Sequence, residues 1–178
     1  MKKKAIIAGI VILIGSYFLF SKPKDPFLER NGFNNLSLEE IVESLESNRN
    51  ETGLEAGILG DRLEMTDSIG SYTMKIPKDK FYLSVAPYIN QTHPCANHSL
   101  TGCQGEFINK KVKVKISDKN SKVIIDKEVT TYKNGFFGLW LPKNIEGTIT
   151  VNYEGKSAST TITTYNNSET CLTTLKLQ

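Results

Sequence analysis

Hydrophobic positions recur at two periods along the chain, and the change of period divides it. Leu38, Ile41, Val42 and Leu45 are spaced as one stripe of a helix. Ser37 and Glu40 stand at the N-cap and N3 positions of a capping box, so an amphipathic helix is predicted from Leu38 to about Ser47. On this reading Glu39, Glu43 and Glu46 form its solvated face. From about Arg62 the period becomes two. Tyr72, Met74 and Ile76 alternate with Thr73 and Lys75, and Phe81, Leu83 and Val85 follow. Val112, Val114 and Ile116 alternate with Lys111, Lys113 and Lys115, the wet face of a half-buried strand. Val123–Val129 reads as the next strand. Asn134-Gly135 signals a hairpin turn into Phe136–Leu141, with Gly138 at a bulge or close approach and Trp140 in the core. Ile149, Val151 and Tyr153 make another strand, Glu154-Gly155 a turn, and Ala158, Thr160 and Ile162 the strand after it. Cys171, Thr173, Leu175 and Leu177 share one face of a last strand. Short strands punctuated by Gly and Asn turns predict a mainly β fold with a short helical N-terminal part, an antiparallel β-sandwich.

The first residues obey a third pattern. Lys2, Lys3 and Lys4 precede the apolar run Ala5–Phe20, as in an export signal. No small-x-small cleavage site follows. Sixteen helical residues span about 24 Å, against roughly 30 Å of hydrocarbon, a gap that snorkelling lysines and local thinning cover. The expectation is an N-terminal membrane anchor helix, single-pass, with the domain extracytoplasmic. The alternative is a cleaved signal peptide and a secreted or periplasmic protein. The chain then divides into residues 1–21 (anchor or signal), 22–66 (spacer and short helical segment) and 67–178 (β-rich domain). The formal charge of +3 resides in the three N-terminal lysines, leaving 19 basic and 19 acidic residues beyond them. No basic stripe suited to a phosphate backbone exists, which argues against nucleic acid as a partner.

The candidate chemistry lies in one loop. Of two histidines and three cysteines in the chain, both histidines and two cysteines fall in His93-Pro-Cys95-Ala-Asn-His98-Ser-Leu-Thr-Gly-Cys103. Loops on a rigid sheet are where ligands are presented, and Cys171, starting the last strand, is placed to meet this loop at the sandwich mouth. The spacing leaves two readings open: a metal site, or a Cys95–Cys103 or Cys103–Cys171 disulfide with incidental histidines. Thiolate and imidazole together suit Cu(I) and Zn(II), whereas calcium and magnesium want carboxylates that the loop lacks. Two neighbouring thiolates can also give electrons to Cu(II), leaving Cu(I) and a disulfide. Enzymatic motifs are missing: there is no Gly-rich phosphate loop, no G-x-S-x-G and no H-E-x-x-H. A C-x-x-C motif is absent as well, which counts against a thioredoxin-like role. Turnover catalysis is not expected.

Tyr82-Leu-Ser-Val-Ala-Pro-Tyr-Ile-Asn-Gln-Thr-His93, Cys95, His98-Ser-Leu-Thr101 and Cys103 closely resemble the CueP family of bacterial copper-binding proteins. So do Asn134-Gly-Phe-Phe-Gly-Leu-Trp-Leu-Pro142 and Thr170-Cys-Leu-Thr-Thr-Leu175. The resemblance implies copper binding outside the cytoplasm, with Cys95, Cys103 and Cys171 as core ligands and His93 and His98 as helpers. Copper would be held as Cu(I), with Cu(II) a second form and zinc a substitute the same donors accept. The role implied is copper tolerance or delivery. A copper-receiving protein or a thiol reductant is the protein partner such a role calls for, and the N-terminal helix would supply contact with the membrane. Two other readings stay in play, a thiol-redox protein that reduces Cu(II) and a disulfide-stabilised surface module.

Overall fold

A computed structural model describes residues 25–47 and 53–178. Among the described residues two short helices, α1 (Pro26–Arg30) and α2 (Leu38–Ser47), come first. Then follow β1 (Glu55–Ile58), β2 (Arg62–Thr66), β3 (Ser71–Lys75), β4 (Lys80–Val85), β5 (His98–Ser99) and β6 (Lys111–Asp118). The last strands are β7 (Val123–Thr130), β8 (Phe137–Pro142), β9 (Glu146–Tyr153), β10 (Lys156–Thr163) and β11 (Cys171–Leu172). They form three sheets, ordered β3-β2-β1-β5, β10-β9-β6-β7 and β11-β4-β8. The anchor helix expected over residues 1–21 lies outside the described residues. Among the described ones, no helix is long and apolar enough to cross a membrane.

Helix α2 starts as its sequence prescribes. The Glu40 carboxylate accepts the Ser37 N–H at 2.7 Å, and the Ser37 hydroxyl accepts the Glu40 N–H at 3.3 Å, a closed capping box. Its apolar stripe Leu38, Ile41, Val42 and Leu45 is buried. The small sheet β11-β4-β8 is covered on both faces, and the two faces are read directly from alternation along β4. Phe81, Leu83 and Val85, with Phe137, Leu139 and Leu141 of β8, pack on Val112, Val114 and Ile116 of β6 and Ile149 and Val151 of β9. Tyr82 and Trp140 face the other way, into a second core with the α2 stripe, Ala56 and Ile58 of β1, and Leu63 and Met65 of β2.

Three expectations are corrected here. The sheets are antiparallel except at one seam, where β11 runs parallel to β4, pairing Cys171 with Ser84. Asn134-Gly135 does form a turn, with Gly135 at φ +81°, but it joins β7 of one sheet to β8 of another and so makes no hairpin. The Gly105 backbone occupies the space a Gly135 side chain would need. Glu154-Gly155, by contrast, is a true hairpin turn, with φ of +48° and +78° and Tyr153 opposite Lys156. Lastly, β1 lies in the stretch read as spacer, a four-residue strand too short to announce itself by period.

Candidate metal centre

The loop carrying the motif is fastened at several points. The Glu106 carboxylate accepts the N–H groups of Ile89, Asn90 and Gln91 at 3.0, 2.9 and 3.2 Å. Thr92 donates its hydroxyl to the Thr173 carbonyl at 2.7 Å. His98 and Ser99 then form β5, which adds an edge to β1 by pairing His98 with Ile58. The Thr170 hydroxyl locks this pairing, accepting the His98 N–H at 3.0 Å and donating to the Ile58 carbonyl at 2.6 Å. The N–H groups of Thr170 and Cys171 both donate to the Ala96 carbonyl, at 3.0 and 3.2 Å. The first and last segments of the domain are thereby drawn to one point.

At that point the donor atoms of Cys95, His98, Cys103 and Cys171 all lie within 4.8 Å of one another. Cys95 and Cys171 are joined as a disulfide, with Cα atoms 5.6 Å apart and 76 residues of separation. Spacing had suggested Cys95–Cys103 or Cys103–Cys171. Instead Cys103 is the free cysteine, its Sγ 3.6 Å from that of Cys95. Cys171 reaches the site by a different route from the one its sequence phase implied. Leu175 and Leu177 belong to the core beneath β4, whereas Cys171 packs with Ala86 and Phe136 on the opposite side. Strand β11 ends at Leu172, so the period-two rule does not carry across to Leu175.

His98 is fully buried, its ring tilted on Phe136 at 4.6 Å. Its Nδ1 faces the sulfurs, 3.4 Å from Cys171 Sγ, and its Nε2 faces away, 2.9 Å from Glu46 Oε1. His93 is not among the four convergent donors; it lies beside Cys103 and over Phe136 at 6.2 Å. Among the described residues its Nε2 is buried with no hydrogen-bond partner, an orphaned donor or acceptor at the rim of the cluster.

Glu46 is the residue the sequence reading misplaced. It is 1% exposed, not on a solvated face. Tyr82 donates its hydroxyl to Glu46 Oε2 at 2.7 Å, and the Ser84 hydroxyl donates to Oε1. Burial pushes the Glu46 carboxyl up, but the charge and hydrogen bond of His98, with the hydrogen bonds of Ser84 and Tyr82, bring it below its ordinary value. Burial also opposes charge on His98 and on Cys103, and is outweighed in both. Hydrogen bonds to Cys103 and Glu46 raise His98 to about 9. Hydrogen bonds from His98 and His93 lower Cys103 to about 7. The only signal that could have found Glu46 is its position four residues after Val42, on the flank of the apolar stripe.

The model of the family described as periplasmic copper-binding protein CueP matches residues 40–176. The chain belongs to the CueP family. Among solved structures, the crystal structure of S.CueP is 45% identical over 85% of this chain and 95% of its own, with a TM-score of 0.82. A search of curated proteins finds no match. The matched span begins inside α2 and includes Glu46, the whole loop and Cys171, so every group of the cluster belongs to the part shared with the family.

Proposed function

We propose that this member of the CueP family binds copper outside the cytoplasm as Cu(I), for tolerance or delivery and not for turnover. The observation that carries the reading is the convergence of three cysteine sulfurs and the His98 Nδ1 within 4.8 Å. Soft thiolates with imidazole are the donors Cu(I) prefers, and the apolar wall of Phe136 and Ala86 limits water around them. No carboxylate stands among the four, which disfavours hard cations. Zinc would accept the same donors. With Cys95 and Cys171 oxidised, only Cys103 and the imidazoles remain, so reduction of the disulfide precedes full coordination.

The layout of the sulfurs bears on the alternatives. Thiol–disulfide exchange through Cys95 needs an in-line approach, in which the 3.6 Å from Cys103 to Cys95 and a disulfide bond of about 2.0 Å would add along one line and hold the outer sulfurs well over about 5 Å apart. Cys103 and Cys171 lie within 4.8 Å, a triangle that suits chelation better than relay. A disulfide staple alone would require neither the free Cys103 nor a buried imidazole facing it. Reduction of Cu(II) remains a second reading, favoured by the disulfide inside the cluster. In it, two Cu(II) ions each take one electron from the Cys95 and Cys171 thiolates, giving two Cu(I) and the disulfide.

Anaerobic thiol counting on the reduced protein separates these readings. Protection of three thiols by one equivalent of Cu(I) supports the proposal. Protection of none sinks it. Disulfide formation matched by two Cu(II) reduced supports the second reading.

A further inference from the structure

Glu46 is a group the copper reading does not itself require, and its surroundings give it a definite task. It projects from the last turn of α2 into the space between helix and small sheet, fully buried. Three groups face its carboxylate: the Tyr82 hydroxyl, the Ser84 hydroxyl and the His98 Nε2. A carboxylate only accepts hydrogen bonds, so each of the three must present a hydrogen to it. The hydroxyls rotate to do so. The imidazole does so by carrying a proton on Nε2. The proton given up when a metal displaces it, or when the ring becomes neutral, is then the one on Nδ1, and Nδ1 is the nitrogen able to offer a lone pair. Nδ1 is the atom turned toward the sulfurs, 3.4 Å from Cys171 Sγ.

We infer that Glu46 is a positioning residue for metal binding, holding His98 in the Nε2-protonated form so that Nδ1 becomes a ligand beside the thiolates. This rests on the copper reading and deepens it, since it ranks His98 as a ligand by a named atom and assigns the part of a residue outside the loop. A carboxylate behind a ligating imidazole fixes the ring's orientation and raises its basicity. Tyr82 and Ser84, neighbours on β4, hold the carboxylate in turn, so the ring's direction is set by the helix-to-sheet packing. Phe136 under the ring, at 4.6 Å, limits its freedom to flip.

The test uses the reduced full-length protein, its imidazoles followed by nitrogen-15 spectra and its Cu(I) affinity by competition with a chromogenic chelator. In the copper-loaded wild type, Nδ1 is expected to shift while Nε2 stays protonated, a readout that needs no variant to fold. Glu46→Gln is expected to weaken Cu(I) binding by roughly 10- to 100-fold. In a His98→Ala background the same substitution should cost nothing further, because Glu46 acts through His98 alone. An equal loss in both backgrounds would show a merely structural role and overturn the inference. So would a copper-loaded protein in which Nδ1 keeps the proton. Should the wild type take up no Cu(I), the copper reading fails by itself, and the metal-free spectra decide the part of Glu46. Recorded above pH 9, where the ring is neutral, an Nε2-protonated ring in the wild type and mixed tautomers in Glu46→Gln support it; one tautomer pattern in both defeats it.

Discussion

Cys103 carries the thiol left outside the disulfide, and its neighbours bias it toward thiolate. Its folded value of about 7 lies below the ordinary 9.0, so the interaction stabilises the fold above pH 9 and is lost as pH falls through 7. His98 has the opposite sign. Raised from 6.5 to about 9, it contributes fully below pH 6.5 and loses its contribution as pH rises through 9. Between about pH 7 and 9 both partners are charged, and the rise of the Cys103 contribution offsets the fall of the His98 one. Reactivity follows, because the thiolate and not the thiol is the nucleophile. In the disulfide form, the rate of Cys103 alkylation is expected to rise with a midpoint near pH 7. His98→Ala should move that midpoint upward, toward the ordinary thiol range. A wild-type midpoint near 9 would show that the imidazoles do not act on this sulfur.

Strand β8 passes under β4 so closely that one position tolerates only glycine. Gly138 lies opposite Ser84, and a Cβ placed on it would run into the Tyr82 hydroxyl and ring. Gly138→Ala is therefore expected to destabilise the domain by about 1–3 kcal/mol, the usual range for overpacking. It should also disturb the Tyr82 hydroxyl that holds Glu46, so copper affinity is expected to fall with stability. Thermal unfolding and chelator competition on one variant check both. The close approach at Gly138 was legible in the sequence, as were the capping box of α2, the lysine-faced strand β6 and the Glu154-Gly155 turn. Each of these depends on residues near one another in the chain. What could not be read depends on which sheet a strand joins. Asn134-Gly135 has the chemistry of a tight turn wherever it leads. Glu46 looks solvated until β4 supplies two hydroxyls and β5 an imidazole. The inward phase of Cys171 was lost because irregular backbone intervenes before Leu175. Residue type singled out five candidate ligands, of which four converge on one point, while the disulfide pairing among them was not legible.

At the scale of the whole molecule, the disulfide closes a long loop between the segment after β4 and the last strand. With its ends separated by 76 positions in the sequence, the cross-link is worth about 4.5 kcal/mol when only denatured-chain entropy is counted. Reduction removes that constraint and at the same moment frees the two sulfurs that join Cys103 in the proposed site. Copper bound across Cys95, Cys103 and Cys171 would restore the same topological link. Ligand held at a thousandfold excess over its dissociation constant stabilises the native state by about 4.1 kcal/mol, close to what reduction costs. The oxidised protein and the reduced, Cu(I)-loaded protein should thus melt at similar temperatures. The reduced metal-free form should melt lower by roughly 10–15 °C, given 2–4 °C per kcal/mol for a chain of this size. Calorimetry of the three forms at pH 8, inside the window where Cys103 and His98 are both charged, makes the comparison. If reduction left the melting temperature unchanged, the cross-link would not be structural. If Cu(I) failed to raise it in the reduced form, the metal would not be spanning the loop and the last strand, and the single-site reading would fall. Cys171→Ser isolates the terminal strand's share: it should melt like the reduced form and gain little from Cu(I), because two loop sulfurs and an imidazole can hold the ion without tying β11 to it.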